Sequence, residues 1–364
     1  MKFRCERDVL VEALSSAGRA VSSRGGALPV LSGVRAELVG NELRCTGSDT
    51  DLTINVVIPV NGESDGVSVL PGRLAADIVK ALPQGAVSVD IGDDEANITS
   101  GRAEFAIRVL PAEEYPRFAE PTGDPLTIAA TDLAAALKQV VAAASADDAR
   151  PILTGVLLAA EGSGLRLVAT DSYRLAVRDL PGASVLAEGQ TVLVPSRALA
   201  ELARVLPAEG SVELRLGERD ASFQVGSTRL TTRLIEGEFP NYRGLIPATY
   251  PNRLTVGREA LLEAIRRVKL MAREATPVRL VMQPDGLELV AITQDVGQAH
   301  EQLDAKFEGT ELTVAFNPEY LLTGVEVTPG DEVVISTLDA LKPAVLRSTE
   351  GDEFLYLLMP VRVS

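Results

Sequence analysis

The sequence predicts an α+β protein in which one domain is used three times. Alternating strand cores recur 122 residues apart, at Leu43, Leu165 and Leu287. Each is followed by a strand-to-helix junction, at 70–73, 194–197 and 316–319, and then by a Pro that closes the helix. A period of this length is the size of a whole domain, whereas solenoid repeats span about 20–50 residues. We therefore expect domains at 1–122, 123–248 and 249–364.

Each repeat is predicted to run helix, strands, helix, strands. In the second repeat the apolar residues from Leu133 to Ala144 follow helical spacing, and alternating segments at 155–160 and 165–170 indicate strands. In the third repeat Asn317 and Pro318 predict a helix start, with Asn as the cap and Pro in the first turn. Short turns between consecutive strands favour antiparallel sheets, with the helices gathered on one face.

Charge is distributed unevenly along the chain. The formal net charge of −16 argues against ordinary nucleic-acid binding, because duplex DNA repels an acidic surface. However, the six predicted helical segments carry 12 basic and 8 acidic residues: 8–24, 72–81, 131–146, 196–206, 257–273 and 317–325. Two interpretations stay open. Either helices simply carry more Arg and Lys, or the six helices share one weakly positive surface on an acidic particle.

Nothing in the sequence indicates catalysis, a cofactor or a metal site. The sequence has no Walker loop, HExxH or CxxC motif. The single histidine, His300, is predicted to be a surface residue, and the paired aspartates at 49/51 and 147/148 are interpreted as turn carboxylates. Two cysteines, no signal-peptide pattern and no apolar run of about 18 residues predict a cytoplasmic protein without a membrane segment.

Six ordered segments resemble the beta sliding clamps, the processivity subunits of bacterial DNA polymerase III. They lie at 28–31, 150–155, 168–176, 236–242, 316–320 and 359–362, and the resemblance spans all 364 residues. It implies a head-to-tail homodimer that closes a ring, with two helices per domain on the inner face and antiparallel sheets outside. The function implied is non-catalytic: the ring encircles duplex DNA without sequence specificity and gives processive synthesis.

The implied partners are double-stranded DNA, a clamp loader, and replicative and repair polymerases that dock through short linear peptides. Two alternatives remain open at this stage. One is an α+β scaffold that binds proteins independently of DNA, and the other is a hydrolase with a site assembled across domains.

The resemblance also implies a partner-peptide pocket, carried over residue by residue. Its members are Leu153, Thr170, Ser172, Tyr173, Arg174, Leu175, Pro240, Leu245, Asn317, Tyr320, Leu358, Met359, Pro360, Val361 and Arg362. An apolar tail with an adaptable Met suits a groove that accepts different peptides. The sequence departs from the family pattern at Ser172-Tyr173, where Gly-His is familiar, and at Gly244, where Arg is familiar.

Two further surfaces are implied. The protomer interface is expected to place Phe105 and Ile107, two apart on one strand, against Leu270 and Met271 of the partner, with Arg102 at its margin. The DNA-facing candidates are the basic residues of the inner helices and flanking loops: Arg24, Arg73, Lys80, Lys138, Arg150, Arg197, Arg204, Arg266, Arg267 and Lys269. Any of these could instead form an ion pair within the chain.

Overall fold

The structure is a computed structural model that describes residues 1–22, 28–272 and 276–362. The chain divides into two compact units. Unit 1 comprises Met1–Thr131 and Ala200–Leu234, and unit 2 comprises Asp132–Leu199 and Ile235–Ser364. The boundaries of the three predicted domains stay a prediction.

The described residues form six α-helices and 26 β-strands. The helices are α1 (Arg7–Gly18), α2 (Gly72–Ala81), α3 (Ala130–Val140), α4 (Ser196–Val205), α5 (Arg258–Lys269) and α6 (Pro318–Val327). The strands around α1 and α2 are β1 (Lys2–Glu6), β2 (Gly33–Val39), β3 (Glu42–Ser48), β4 (Leu52–Pro59), β5 (Asn61–Ser64), β6 (Gly66–Pro71), β7 (Ala86–Ile91), β8 (Glu95–Ser100) and β9 (Ala103–Arg108).

The later strands follow the same order about their helices. Those around α3 and α4 are β10 (Leu126–Ala129), β11 (Gly155–Glu161), β12 (Gly164–Thr170), β13 (Arg174–Leu180), β14 (Thr191–Pro195), β15 (Ser211–Leu216), β16 (Asp220–Val225) and β17 (Thr228–Arg233). Those around α5 and α6 are β18 (Asn252–Gly257), β19 (Val278–Gln283), β20 (Gly286–Thr293), β21 (Gly297–Leu303), β22 (Ala305–Glu308), β23 (Leu312–Phe316), β24 (Glu332–Thr337), β25 (Ala344–Ser348) and β26 (Phe354–Leu358).

The threefold sequence repeat is matched by a repeated backbone feature. The turn after the second long strand of each repeat contains a non-Gly residue with positive φ: Thr50 at 81°, Ser172 at 79° and Asp295 at 63°. Such a conformation is uncommon for residues other than Gly. The predicted repeat is therefore present in the local geometry as well as in the order of elements.

All the named strand pairs are antiparallel, as the short turns predicted. In unit 1, sheet 1 has the order β5-β1-β7-β8-β9 and sheet 2 the order β10-β15-β16-β17-β4-β3-β2-β6. In unit 2, sheet 3 has the order β14-β11-β12-β13-β26-β25-β24-β18-β22 and sheet 4 the order β21-β20-β19-β23. Sheets 2 and 3 each join strands from two consecutive repeats, through the β17–β4 and β13–β26 pairs.

The helices bury one apolar face against the sheets. In α5 the predicted stripe is confirmed, because Leu261, Leu262, Ile265 and Val268 are all buried. In α6 the buried Gly324 permits a close approach, since a Cβ at this position would lie 2.5 Å from the ring of Tyr356. That contact places α6 directly on β26, which bears on the site below. In the described residues no helix is long and apolar enough to cross a membrane.

Three predicted helices are longer than the observed ones. The segment 257–273 forms a helix only from Arg258 to Lys269. The segment 8–24 forms a helix only as far as Gly18. The segment 131–146 begins one residue early, at Ala130, and changes at Val140 to a short 3-10 turn over Val141–Ala143. Two adjacent β-branched residues, Val140 and Val141, crowd the preceding turn and weaken continuation of the α-helix. Apolar spacing alone did not reveal this stop.

Candidate functional site

A rigid turn in unit 2 joins β12 to β13 and presents Tyr173 and Arg174. The buried Asp171 carboxylate accepts hydrogen bonds from the backbone N–H groups of Tyr173 (2.9 Å) and Arg174 (3.0 Å). It also accepts one from the Arg174 side chain, Nε to Oδ2, at 3.0 Å. The Thr170 hydroxyl donates to the Arg174 carbonyl at 2.6 Å and accepts from the Ser172 N–H at 3.1 Å. The turn is therefore locked by its own polar side chains.

Three aromatic or cationic side chains are brought together beside this turn. The guanidinium carbon of Arg174 lies 4.4 Å from the centroid of the Tyr320 ring. The Tyr173 ring stacks on Tyr320 with centroids 6.3 Å apart and an interplanar angle of 27°. The Tyr356 hydroxyl donates to the Tyr320 carbonyl at 3.0 Å, and this hydrogen bond ties the start of α6 to β26. Tyr173 is 58% exposed, so this aromatic cluster is accessible to a ligand.

The charge state of the aromatic cluster is fixed. Burial tends to lower the pKa of Arg174, but the Tyr356 hydroxyl and the Asp171 carboxylate outweigh it and the net shift is upward. Burial raises the pKa of Tyr356 to about 12 and raises that of Tyr320 as well. At neutral pH Arg174 is therefore cationic and both tyrosines are neutral, which is the combination that a cation–π contact requires.

The start of α6 positions Tyr320. The Asn317 side chain accepts hydrogen bonds from the N–H groups of Glu319 (2.9 Å) and Tyr320 (3.3 Å), and Pro318 occupies the first helical position. This confirms the predicted helix start. Because the cap satisfies these N–H groups, the first turn of α6 is held in place and the Tyr320 ring stays against Arg174.

The segment that follows β26 also lies beside the aromatic cluster. The Met359 N–H donates to the Tyr173 carbonyl at 2.9 Å, and the Val361 N–H donates to the Ala315 carbonyl at 2.8 Å. Both side chains are partly exposed, whereas Leu358 is fully buried. A flexible, polarizable Met next to exposed aromatic rings gives an apolar surface that can adapt to a peptide.

The remaining predicted pocket residues are placed less directly. Leu175 is buried in an apolar cluster on which Tyr242, Phe239 and Ile246 pack, so the chain neighbours of Pro240 and Leu245 reach this region. Leu153 is buried, and the Ser172 hydroxyl accepts from Arg150 at 3.2 Å. Pro360 and Arg362 make no side-chain hydrogen bond or ion pair with other described residues. The predicted set omitted Asp171 and Tyr356, which hold the aromatic cluster.

Most of the described DNA-facing candidates are exposed on helices, but Arg150 lies in a turn and Lys269 is half-buried. Most of them have acidic neighbours. Arg73 is 96% exposed along its side chain and lies 3.9 Å from Asp77. Lys80 and Lys138 are exposed and form no ion pair with other described residues. The rest contact carboxylates or have another interaction: Arg150, Arg197, Arg204, Arg266, Arg267 and Lys269. Arg24 lies outside the described residues.

The predicted interface residues lie on β9 and the turn before it, and in the segment just after α5. Phe105 is 39% exposed on β9, the last strand of sheet 1, and Ile107 on the same strand is already buried within its own unit. Leu270, just after α5, is 83% exposed, and Met271 lies within reach of Gly297 at the start of β21. Arg102 is exposed in the turn before β9. His300 is exposed on β21, where its Nδ1 lies 2.9 Å from Glu288.

Comparison with known proteins identifies relatives of the whole chain. Three protein-family models, described as the N-terminal, central and C-terminal domains of the DNA polymerase III beta subunit, match residues 1–119, 127–241 and 243–362. The chain is 36% identical to the beta sliding clamp of Streptomyces coelicolor over 384 aligned residues, with all of both proteins covered. It is 31% identical to that of Staphylococcus aureus, with 100% of this chain and 99% of the relative covered.

Solved structures show the same fold. A DNA polymerase sliding clamp from Bacillus subtilis superposes with a TM-score of 0.92 at 32% identity, and each chain is fully covered. A sliding clamp from Pseudomonas aeruginosa bound to griselimycin gives a TM-score of 0.91 at 28% identity, again with full coverage of both chains.

Proposed function

The chain belongs to the DNA polymerase III beta subunit family, the beta sliding clamps, and we propose that two copies close a ring around duplex DNA. The chain is accordingly a non-catalytic processivity subunit of the polymerase and not an enzyme. In the proposed action the ring tethers the replicative polymerase and other replication and repair proteins to DNA, and its location is the cytoplasm. A scaffold independent of DNA and a hydrolase are not favoured.

The proposed ring rests on the register of the two strand pairs that connect consecutive repeats, β17–β4 and β13–β26, which we call joints. Both joints have the same register. At the β17–β4 joint of sheet 2, Leu230 pairs with Ile54. At the β13–β26 joint of sheet 3, Tyr356 pairs with Ala176. Ile54 and Ala176 occupy equivalent positions, because they pair with Gly47 and Ala169, which are 122 residues apart. The same pairing therefore closes both joints.

Among the described residues, two strands equivalent to those at the joints have no partner strand on one side. β9 is the end strand of sheet 1 and corresponds to β17, which in sheet 2 pairs with β4. β21 is the end strand of sheet 4 and corresponds to β4, which in sheet 2 pairs with β17. An unpaired edge strand exposes N–H and C=O groups that readily accept another chain. We propose that β9 of one protomer pairs with β21 of its partner, and the reciprocal pair closes the ring.

The shared register predicts which residues meet at this third joint. Phe105 is equivalent to Leu230, because each is the third residue of its strand after a two-residue turn, closed by the Ser100–Ala103 pair or the Val225–Thr228 pair. Ala299 is equivalent to Ile54, because it pairs with Ala291, which lies 122 residues after Ala169. Phe105 is therefore expected opposite the partner's Ala299, a small residue that leaves room for the ring.

In the proposed complex, exposed basic residues of the helices contact the DNA phosphates. The main candidates are Arg73, Lys80 and Lys138. A clamp that holds DNA topologically needs few phosphate contacts, since each added contact makes binding tighter and more dependent on salt. Ion pairs such as Arg267 with Glu263 and Glu301 reduce the charge available to phosphates. This balance favours sliding over fixed binding.

The proposed partner site is the aromatic cluster of unit 2 with the segment after β26. An extended peptide can place apolar side chains against Tyr173 and Met359, and Arg174 supplies a cation at the rim. Since Tyr173 stands where the family pattern has His, the preferred peptide is expected to differ from that of relatives with Gly-His.

The decisive experiment compares retention on circular and linear duplex DNA after loading. A ring stays on the circle and slides off the linear ends, even in moderate salt that removes ordinary phosphate contacts. Equal, salt-sensitive retention on both substrates would indicate a conventional DNA-binding protein, and no retention on either would favour the scaffold.

A further inference from the structure

One face of sheet 2 in unit 1 contains a cleft of about 730 Å³. It lies between the strands at the β17–β4 joint and the segment at 115–120, in which Tyr115 and Phe118 meet edge to face. Tyr115 is anchored, because its buried hydroxyl donates to the Thr46 carbonyl at 3.1 Å. The volume is in the range of ligand pockets, about 300–1,000 Å³, and far exceeds the needs of a single ion.

At the equivalent strands of unit 2, apolar side chains occupy the space of the cleft. One row of cross-strand partners runs across β11, β12, β13 and β26, and it is entirely apolar: Leu157, Val168, Val177 and Leu355. Together with Leu175 and Leu357 it forms a cluster sealed by Tyr242, Phe239 and Ile246. This joint therefore holds apolar side chains where unit 1 has open space.

The matching row in unit 1 is polar at every position. Across β2, β3, β4 and β17 it consists of Arg35, Thr46, Asn55 and Arg229. The cross-strand pair next to this row differs in the same way: it is Leu175–Leu357 in unit 2 and Thr53–Thr231 in unit 1. Six positions that are apolar in unit 2 are thus polar in unit 1, although the strands pair in the same way. Since apolar packing here would favour folding, the polar row indicates a surface kept for a ligand.

Part of the charge in the cleft is neutralised internally. Arg35 donates to Glu37 at 2.8 Å and Arg229 to Glu120 at 2.6 Å. These hydrogen bonds are the main reason why the pKa values of Glu37 and Glu120 are lowered, and Arg44 lowers them further from a greater distance. Both carboxylates are therefore ionised and already partnered at neutral pH.

Three arginines lining the cleft retain free guanidinium groups. Arg44, Arg117 and Arg233 form no hydrogen bond or ion pair through their side chains with other described residues. Asp51 and Asp220 also line the cleft, so its five arginines and four acidic residues give a balance of +1 on a chain of −16. One buried carboxylate oxygen of Asp220 lacks a hydrogen-bond donor among the described residues.

We propose that this cleft binds an acidic linear peptide, whose carboxylates contact Arg44, Arg117 and Arg233. Guanidinium groups suit carboxylates because they form paired, charge-assisted hydrogen bonds. A peptide also supplies N–H donors, which the hydroxyls of the threonines lining the cleft can accept. A nucleic-acid backbone fits less well, since it offers few hydrogen-bond donors.

The test uses a fluorescein-labelled hexaglutamate peptide and fluorescence anisotropy at low salt. The wild type is expected to bind saturably, and Arg44→Glu/Arg233→Glu to weaken binding at least about tenfold, because two charge-assisted contacts become repulsive. Arg253→Glu, an exposed arginine on β18 in unit 2, is the matched control and should bind as the wild type does. Arg44→Lys/Arg233→Lys should give an affinity between the two, since the charge remains but the paired hydrogen bonds of the guanidinium groups are lost.

A second variant tests the cleft without changing its charge. Thr53→Leu/Thr231→Leu introduces the residues found at the equivalent positions of unit 2 and should fill the cleft and reduce peptide binding. Circular dichroism melting verifies that each variant is folded. No saturable binding by the wild type, or equal binding by the wild type and Arg44→Glu/Arg233→Glu, would overturn the proposal. Displacement by inorganic pyrophosphate at a lower concentration than by unlabelled peptide would assign the cleft to phosphate groups instead.

Discussion

The guanidinium carbon of Arg174 lies 4.4 Å from the ring centroid of Tyr320, and the two residues come from different repeats. Asp171 orients Arg174 by accepting a hydrogen bond from its side chain. Asn317 orients Tyr320 by accepting a hydrogen bond from its backbone N–H at the start of α6. Neither side chain depends on a bound peptide for its position. A preformed site of this kind loses little conformational entropy when a peptide binds.

Replacing Tyr320 by Ala is expected to weaken binding of polymerase-derived linear peptides by roughly 5- to 30-fold, about 1–2 kcal/mol. The change removes the ring that stacks on Tyr173 and leaves Arg174 without its aromatic partner. Tyr320→Phe is the matched control, because the ring remains and only the hydroxyl is lost. Peptide affinity measured by calorimetry distinguishes the two variants, and equal losses in both would contradict the role of the ring.

Deletion of residues 359–364 is expected to abolish peptide binding and to leave the dimer intact. The deletion keeps β26, whose side chains are all buried, and removes Met359 and Val361 from the exposed surface. Sedimentation velocity should still show a dimer. An unchanged peptide affinity would exclude this segment from the site.

The sequence predicted the threefold repeat, the α+β class and the helix start at Asn317, because each depends on local patterns of period or capping. It did not predict the cleft in unit 1. The polar row of Arg35, Thr46, Asn55 and Arg229 is assembled from four strands, and only their observed register shows that it aligns with an apolar row elsewhere. Asp171 was likewise omitted, because its three hydrogen bonds depend on the turn geometry.

The proposed third joint is tested by changing its apolar residues. Phe105→Asp should shift the protein towards monomer, since a charge would be buried opposite the partner's Ala299. Leu270→Ala/Met271→Ala should weaken the dimer as well, because exposed apolar area after α5 is lost. Val39→Asp, an exposed apolar residue of unit 1 away from β9, is the control. Persistence of the Phe105→Asp and Leu270→Ala/Met271→Ala dimers at low concentration would show that the joint lies elsewhere.

The ion pairs around Glu161 predict how stability depends on pH. A hydrogen bond from Arg243 (2.7 Å) is the main cause that lowers the pKa of Glu161, and Arg166 at 3.0 Å adds to it. A lowered pKa contributes stability above the unfolded value of 4.5, and this contribution is lost as pH falls through the folded value. Because both side chains are partly exposed, the contribution is about 0.5–1 kcal/mol.

Arg243→Ala should therefore lower the free energy of unfolding at neutral pH by about that amount and have no effect once Glu161 is protonated. Lys342→Ala, an exposed lysine without an ion pair among the described residues, should have little effect at either pH. Urea titrations at neutral and acidic pH measure the difference. A loss of the same size at both pH values would show that Arg243 acts through packing on Tyr242, with which it is also in contact at 5.5 Å, and not through Glu161.

The basic helix residues are tested by charge reversal. Arg73→Glu/Lys138→Glu should shorten retention on circular DNA at low salt by roughly threefold to tenfold, because two phosphate attractions in each protomer become repulsions. The difference between circular and linear DNA should persist, since the ring still encloses the duplex. Lys342→Glu changes the net charge from an exposed loop and serves as the control. Unchanged low-salt retention in Arg73→Glu/Lys138→Glu would remove these residues from the DNA-facing surface. Loss of the circular preference would instead show that phosphate contacts, and not closure of the ring, hold the protein on DNA.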